Sequence, residues 1–498
     1  MKILLINPPH IQKRGLYPKL IFQPIGLAYI AAVLEREKHN VSILDALGLG
    51  WNKVTELDSN RQLIGLTYEE IAGHIKNISP QIVGISVPFT IQAESAFSVA
   101  SLVKKVDNKI ITILGGAHIT SHPLDCLTNP NVDFIVMGEG ETPVVNLINA
   151  LKTNSLKKLK EISSLGFKQK GALKINLRQP PFTDLDSLPF PARHLLPMDE
   201  YFKASQAMRT GRTDSPYKRA AVIISSRGCP FTCTFCLSHH LWGRFWRYRS
   251  PENITNEIQE LVEKYCVNHI HFEDDNLTLD KERMGQLCDL IVDRKLKISW
   301  DTPNGIRGDT VDEEVLLKMK TSGCQELCVA PESGNQYVVD NVIKKRVNLK
   351  KIEETVKICK KIGIKVDAFF VIGSVGETKE QIQDTINFAK RLRKLGCRRC
   401  HFHIATPFEG TELYEQAKKM GYLVEAPKDC IQLETPRIQT SEFTVREIDQ
   451  LFQEGIKVNP IIPTDKLYIA LKLLITNPAR FIKVSFRYLT KRQGGLSS

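Results

Sequence analysis

The chain has 498 residues, 42% of them hydrophobic, enough to bury two or three separate cores and free of low-complexity segments. Its formal net charge of +13 is a weak sign of nucleic acid. Residues 466–498 hold seven bases (Lys466, Lys472, Arg480, Lys483, Arg487, Lys491, Arg492) and no acid, and subtracting those seven leaves +6 for all the rest. Twelve cysteines are too few for a disulfide scaffold of this length, and the start MKILLINPPH lacks the parts of a secretory signal, so the expected setting is cytoplasmic and reducing, with clustered cysteines as ligands.

Residues 1–150 alternate strand-like runs (KILLIN, VSILDA, IVGISV, ITILGG, FIVMGEG) with helix-like segments such as GLAYIAAVLEREK and AESAFSVASLVKK. That alternation predicts a doubly wound, Rossmann-like parallel sheet. Glycine and proline gather at the strand ends, at Asn7-Pro8-Pro9, Ser86-Val87-Pro88, Gly115-Gly116 and Gly138-Glu139-Gly140, where open α/β sheets bind ligands. No G-x-G-x-x-G follows the first strand, which argues against a dinucleotide.

Residues 151–218 are proline-punctuated and read as a linker ending in the polar stretch QAMRTGRTDSPYKR. From 219 to about 425 the βα rhythm resumes six times, with strands AAVIIS, HIHFED, KISWDT, ELCVAP, VDAFFVIG and CHFHIAT. Six such units predict a partial (β/α)6 version of the TIM barrel, with chemistry at the C-terminal strand ends. Residues 426–498 read as a helical C-terminal region. Its basic, amphipathic tail is too interrupted to span a bilayer but is compatible with peripheral membrane contact or with docking on the barrel.

The stretch SSRGCPFTCTFC, residues 225–236, places Cys229, Cys233 and Cys236 just after the first strand of the second series. Thiolates are soft, charged donors, and three on one loop can cap three irons of a cubane and leave the fourth open. Zinc would need a fourth donor, which His239 or His240 could supply. Cys397-x2-Cys400 with Cys430 is a second thiol group that reads either as an auxiliary metal site or as buried small hydrophobes.

Cys229-x3-Cys233-x2-Cys236, with Phe235 before the third cysteine and six βα units around it, resembles the radical S-adenosylmethionine (SAM) superfamily. The resemblance implies that the three cysteines bind a [4Fe–4S] cluster whose open iron chelates SAM. One electron, from an external donor of flavodoxin or ferredoxin type, then yields a 5′-deoxyadenosyl radical. It further implies SAM contacts at Glu273 and Asp274 after the second strand, at Glu332 and Ser333 after the fourth, and at Gly373 near adenine. Ser374-Val375 departs from the Leu-Pro common in relatives, and Asp275 reads equally as a helix cap.

The N-terminal segment resembles the cobalamin-binding domain fused to many radical SAM enzymes, through Asn7, Pro8, Pro9, Gly26, Ser86, Gly115, Gly116, His118, Thr120, Gly138, Glu139 and Gly140. These residues and Thr90 are the implied cobalamin contacts. The Asp-x-His-x-x-Gly motif that supplies a histidine to cobalt in mutases is missing, so cobalamin is expected without a histidine ligand. The implied domains are 1–150 for cobalamin, 151–218 as linker, 219–425 as the radical SAM barrel and 426–498 as the tail.

Together these features resemble the cobalamin-dependent radical SAM methyltransferases, which implies methylation of an unactivated carbon of a small-molecule or lipid-like substrate between the two domains. Oxidative cyclisation or rearrangement uses the same radical and is the alternative. A tRNA methylthiotransferase would need a second cysteine trio, yet only Cys126 lies upstream of residue 229. An iron–sulfur or zinc protein that binds nucleic acid would spread its bases along a groove, whereas here they are terminal, and no nucleic-acid partner is expected.

Overall fold

A computed structural model describes residues 1–14, 21–153, 155–178, 181–208, 219–425 and 432–459. In the first third of the chain lie β1 (Lys2–Asn7), β2 (His10–Lys13), β3 (Asn40–Asp45), β4 (Val54–Glu56), β5 (Arg61–Ile64), β6 (Ile82–Ser86), β7 (Ile111–Gly115), β8 (Phe134–Val136), β9 (Leu165–Gln169) and β10 (Ala172–Ile175). Strands β3, β1, β6, β7 and β8 pair in that order, all parallel. Their runs are apolar throughout because helices cover both faces, so neither face can be polar. Strand order reverses between β1 and β6, and the crevice outside the C-terminal ends of these two strands is the binding place such sheets offer.

Two features fall where only loop or linker is expected. Strands β2, β5 and β4 form a small antiparallel sheet beside the β1 exit. The hairpin β9–β10 adds to the edge of the main sheet through an antiparallel β8–β9 pairing, so part of the expected linker is sheet. Its polar, lysine-bearing strand KQKGALKI alternates weakly and hides an edge-strand role.

The second half holds β11 (Ala220–Ile223), β12 (Ser226–Arg227), β13 (Arg247–Tyr248), β14 (His269–Phe272), β15 (Ser299–Ile306), β16 (Cys324–Glu332), β17 (Lys365–Ile372) and β18 (Arg399–Ile404). Strands β11, β14, β15, β16, β17 and β18 are consecutive neighbours in one parallel sheet, the six-unit barrel expected from the sequence. Helices start where the sequence supplies caps: Ser250 before Pro251–Tyr265, Asp280 before Lys281–Asp293, Asp312 before Glu313–Thr321, and Thr378 with Gln381 in a capping box before Lys379–Leu395. The helix after β14 is therefore capped by Asp280, which leaves Asp275 for another task.

Alternate residues of the barrel strands part by face. Ile270, Phe272 and Trp300 are buried in the core under the helices, with Phe272 and Trp300 edge to face at 5.4 Å. His269, His271, Asp301, Glu326, Asp367 and His401 meet across the strands in a polar layer tied by hydrogen bonds and ion pairs: His271 Nδ1 and Asp301 Oδ1 share a hydrogen bond at 2.7 Å, and Arg398 Nη2 lies 2.7 Å from Asp367 Oδ2. The helix Val445–Ile456 packs on β18 and on Lys379–Leu395. The expected helical tail over 466–498 lies outside the described residues, and among those described no helix is long and apolar enough to cross a membrane.

Candidate functional site

The cysteine loop leaves β11 through the short ribbon β12–β13, and Thr234 holds its middle. Thr234 N–H donates to Ile343 O at 3.0 Å while its own carbonyl accepts from Leu413 N–H at 2.9 Å. Cys236 Sγ accepts from the Ser238 N–H at 3.4 Å. Burial pushes the Cys233 thiol up to about 11 and that of Cys236 up to about 12, and it raises Cys229 as well. Free of metal, all three are protonated at neutral pH, so loading a cluster releases protons.

All three cysteines line one cavity of about 350 Å³ at the C-terminal ends of the barrel strands. Phe231, Phe235, Phe369 and Phe408 give it aromatic walls, and its polar groups include Asp275, Asn276, Asn304, Arg307, Glu332 and Lys345. Glu332 ends β16 with φ of +64°, a left-handed conformation unusual for a non-glycine and concentrated at functional sites. Its Oε1 accepts from Lys345 Nζ at 2.6 Å. Burial acts to lower the Lys345 pKa, but Glu332 and Cys233 outweigh it and hold the ammonium above its ordinary value. The Arg307 guanidinium lies 3.7 Å from the centre of the Phe231 ring and donates to the Lys345 and Arg346 carbonyls at 2.7 and 3.0 Å. This one side chain therefore fastens the cysteine loop to the loop after β16. Asn276 is buried, and its Oδ1 has no hydrogen-bond partner among the described residues, an acceptor a bound molecule could satisfy.

Of the sequence-derived SAM contacts, only Glu332 reaches this cavity. Asp274 turns inward, where its carboxylate accepts from Ser225 N–H and Oγ at 3.1 and 2.8 Å and from Ser226, and so braces the start of the cysteine loop. The backbone N–H of Glu273 donates to Ile223 O at 3.0 Å, on the β11 side. Ser333 is fully buried against the Thr385 hydroxyl at 2.8 Å. Gly373 N–H donates to Glu377 Oε2 at 2.8 Å, closing a turn rather than a ligand surface. Asp275, which the sequence also offers as a helix cap, lines the cavity with Asn276, Asn304, Arg307 and Lys345; Asn304 lies inside β15, and the others share a position just past a strand end or in the loop that follows.

Three thiols on one loop also fit a cluster better than a single zinc ion. Tetrahedral zinc with bonds of about 2.3 Å would bring its sulfurs to about 3.8 Å from one another. Among the described residues, the one group of three candidate ligand atoms all within 4.8 Å of each other is His269, His271 and Asp301, and neither the loop cysteines nor His239 and His240 form such a group. Cys397 and Cys400 have their sulfurs 3.9 Å apart in the core, and the Cys400 thiol points at Ala389 O, as small buried hydrophobes do; Cys430 lies outside the described residues.

At the first sheet, Gly116 has φ of +123° and Gly138 +67°. Thr120 links their loops, donating to Gly116 O and accepting from Gly138 N–H, both at 2.9 Å. His118 is buried, stacks on His122 at 4.8 Å and lies 3.2 Å from Thr90 Oγ1. Just beyond β6 and β7, Phe89 and Ile91 are each 65% exposed and Leu124 is 56% exposed, an apolar rim suited to a flat macrocycle. Ser86, Gly115 and Gly140 lie partly exposed at these strand ends, and Gly26 has open space where a Cβ would stand.

Four expected contacts at this sheet have other partners or surroundings. Asn7 is buried and donates to Asp45 at 2.8 Å. Pro8 is buried too, and the Pro9 carbonyl accepts from Ser95 Oγ at 2.6 Å. Glu139 forms ion pairs with Arg227 and Arg247 of the barrel half. The two halves touch again where helix Ala117–Ser121, after β7, packs on Ser238–Trp242, after Cys236, and where His122 Nε2 lies 3.2 Å from Glu409 Oε2. The C-terminal strand ends of the two sheets thus face one another.

A model of the radical SAM superfamily matches residues 223–389, and a model of the B12 binding domain matches residues 15–148. Cytidylyl-2-hydroxyethylphosphonate methyltransferase of Streptomyces wedmorensis is 31% identical over 454 residues, 85% of this chain and 82% of that protein. An uncharacterized methyltransferase of Pyrococcus horikoshii is 33% identical over 456 residues, 91% of each. The anaerobic magnesium-protoporphyrin IX monomethyl ester cyclase of Rubrivivax gelatinosus is 25% identical over 399 residues, 78% of this chain and 66% of the cyclase. Among solved structures, the radical SAM methyltransferase TsrM of Kitasatospora setae, with cobalamin and a [4Fe–4S] cluster bound, shares the fold with a TM-score of 0.66 at 17% identity, over 85% of this chain and 79% of that one.

Proposed function

The chain belongs to the cobalamin-dependent radical SAM family of methyltransferases and their cyclase relatives, and from that membership we propose that it methylates an unactivated carbon of a small-molecule or lipid-like substrate. Its cofactors are a [4Fe–4S] cluster, SAM and cobalamin. When bound, the cluster and SAM supply a 5′-deoxyadenosyl radical, and cobalamin carries the methyl group.

The reading is supported above all by one observation: three thiols, the Glu332–Lys345 pair and the unsatisfied Asn276 share a single cavity on the side that meets the first sheet. Cys229, Cys233 and Cys236 would hold the cluster. Glu332 and Lys345 offer a carboxylate and an ammonium to a zwitterionic ligand, and the Asn276 amide offers an acceptor. Phe231, Phe235, Phe369 and Phe408 give the site apolar walls that disfavour bulk water around the bound cofactors. In the first sheet, Gly116, Gly138 and Thr120 shape a close backbone approach for cobalamin, with His118 and Thr90 beside it and no histidine on cobalt. Residues 1–150 with the β9–β10 hairpin then serve cobalamin, and residues 219–425 serve SAM.

Anaerobic incubation of the reconstituted protein with SAM, reductant and cobalamin tests this. Formation of both 5′-deoxyadenosine and S-adenosylhomocysteine is expected; deoxyadenosine alone would point to cyclisation or rearrangement and overturn methyl transfer. We place the enzyme in the reducing cytoplasm, fed by a flavodoxin- or ferredoxin-type donor. The basic stretch 466–498 suits contact with an anionic membrane. Equal pelleting with liposomes of the full chain and of a chain ending at residue 465 would remove that contact.

A further inference from the structure

The cysteine loop is gripped at its base from the cobalamin side. Arg227, two residues before Cys229, and Arg247 are cross-strand partners in the β12–β13 ribbon. Arg227 Nη2 lies 2.6 Å from Glu141 Oε1 and its Nη1 lies 3.3 Å from Glu139 Oε2, while Arg247 Nη1 lies 2.6 Å from Glu139 Oε1. Both glutamates sit just past β8 of the first sheet, Glu141 opening the helix Glu141–Lys152. The four side chains are 5 to 11% exposed and sum to zero charge. The Tyr29 ring from the first half and the Trp242 ring from the second lie 5.2 and 5.5 Å from the Arg227 guanidinium carbon. A Cβ on Gly228 would stand 2.4 Å from Phe245 O, so the next residue toward the cysteines is also without slack.

Taking four charges out of water costs about what their attraction returns, so such a quartet is a poor source of stability. What it does supply is direction, because a guanidinium fork meeting carboxylates fixes angle as well as distance. We propose that Arg227, Arg247, Glu139 and Glu141 are positioning residues that set the cysteine loop at a fixed distance and angle from the cobalamin-binding sheet. The inference rests on the function proposed above. It gives Glu139 a purpose other than ligand contact, and it makes the β8 loop the link between radical generation and methyl transfer.

The test uses full-length, reconstituted enzyme carrying Glu141→Gln or Arg227→Lys, beside wild type, each assayed for iron, sulfide and cobalt. The distance readout is the relaxation enhancement that the reduced cluster imposes on the cob(II)alamin paramagnetic signal, which falls steeply with separation. Both variants are expected to keep both cofactors and to form 5′-deoxyadenosine within about twofold of wild type, while the enhancement becomes weaker and heterogeneous. Since a misplacement of about 1 Å can cost on the order of 100-fold, methyl transfer to substrate should fall far more than deoxyadenosine formation. An unchanged enhancement in both variants would overturn the proposal, as would loss of both cofactors from both variants, which marks a purely structural role. A wild-type protein that retains no cobalt is a different outcome: it refutes the cobalamin function itself, and the positioning role with it.

Discussion

Gly116→Ala is the sharpest test of the cobalamin-side geometry. A Cβ there would stand 2.6 Å from Val87 O and 2.7 Å from Val87 C, at φ of +123°. That is about 0.8 Å or more inside an ordinary contact, and Val87 cannot simply withdraw. Its N–H donates to Gly115 O at 2.7 Å and its carbonyl accepts from His118 N–H at 3.2 Å. Overpacking of about 1–3 kcal/mol adds to about 1–3 kcal/mol for an unfavourable backbone, so the first half should lose about 2–6 kcal/mol. Its melting temperature should fall by roughly 4–24 °C. Thr120 should carry the shift to Gly138, so cobalamin retained after desalting, read by absorbance, should fall as well. Gly73→Ala is the control: its Cβ meets no atom within 4 Å, and it sits in the helix Tyr68–Ile78. It should be stabilising by up to about 1 kcal/mol with full cobalamin retention. A Gly116→Ala protein that melts within about 1 °C of wild type and keeps its cobalamin would refute the reasoning.

Replacing any one of Cys229, Cys233 and Cys236 by Ala should abolish the iron–sulfur absorbance, whereas Cys397→Ala and Cys400→Ala should leave iron content unchanged. Lys345→Met strips Glu332 of its partner in a buried pair, a loss of about 3–5 kcal/mol that should appear as at least a tenfold weaker SAM affinity by calorimetry, with Lys345→Arg intermediate. Burial lowers His269 and His403 to about 4, so the folded state keeps both imidazoles neutral while the unfolded chain protonates near 6.5. At these two sites the unfolded state then binds more protons between those values, so their contribution to stability should be full above pH 6.5 and drain away as pH falls toward 4. Glu326 and Glu377, raised to about 7 by burial, act in the opposite sense over the same range, so the test is differential: between pH 7.5 and 4.5 the urea midpoint of a His403→Phe variant should fall less than that of wild type.

The βα rhythm was legible because parallel strands covered on both faces must be apolar throughout, and such runs stand out even where their pairing does not. The cysteine spacing was legible because the three ligands lie within eight residues of one loop. What the sequence hid were partners brought from afar. Asp274 and Asp275 are adjacent in sequence, yet the first turns in to Ser225 and the second lines the cavity; only the twist of the β14 exit separates them. Lys345 and Arg307 lie on loops after different strands and meet through a backbone carbonyl, which leaves no residue pattern to read. Glu139, in a glycine-flanked turn at a strand end, looks like a ligand contact until Arg227 is placed opposite it, 88 residues later.

The polar layer inside the barrel bears on where the chemistry can run. TIM-type barrels usually fill their interior with branched apolar side chains, but here Asp301 lies between His269 and His271, and Arg398 bridges Asp367 and Glu326. Paired in this way, the three carboxylates are poor binding determinants for a substrate, because displacing a partner would strand its mate in a buried place. Asp301, Glu326 and Asp367 line a second cavity of about 310 Å³, which shares Phe369, His403 and Leu433 with the cysteine-lined one. The Phe369 ring packs on His401 and His403 at 5.6 and 6.1 Å and so stands on the boundary between the two. The space below that ring is walled by Asp301, Glu326 and Asp367 together with Pro303, Cys328 and Leu433. On the function proposed above a substrate carbon has to meet both cofactors, and the two sheets face each other at their C-terminal strand ends, so the interface between the two halves is where we propose it binds.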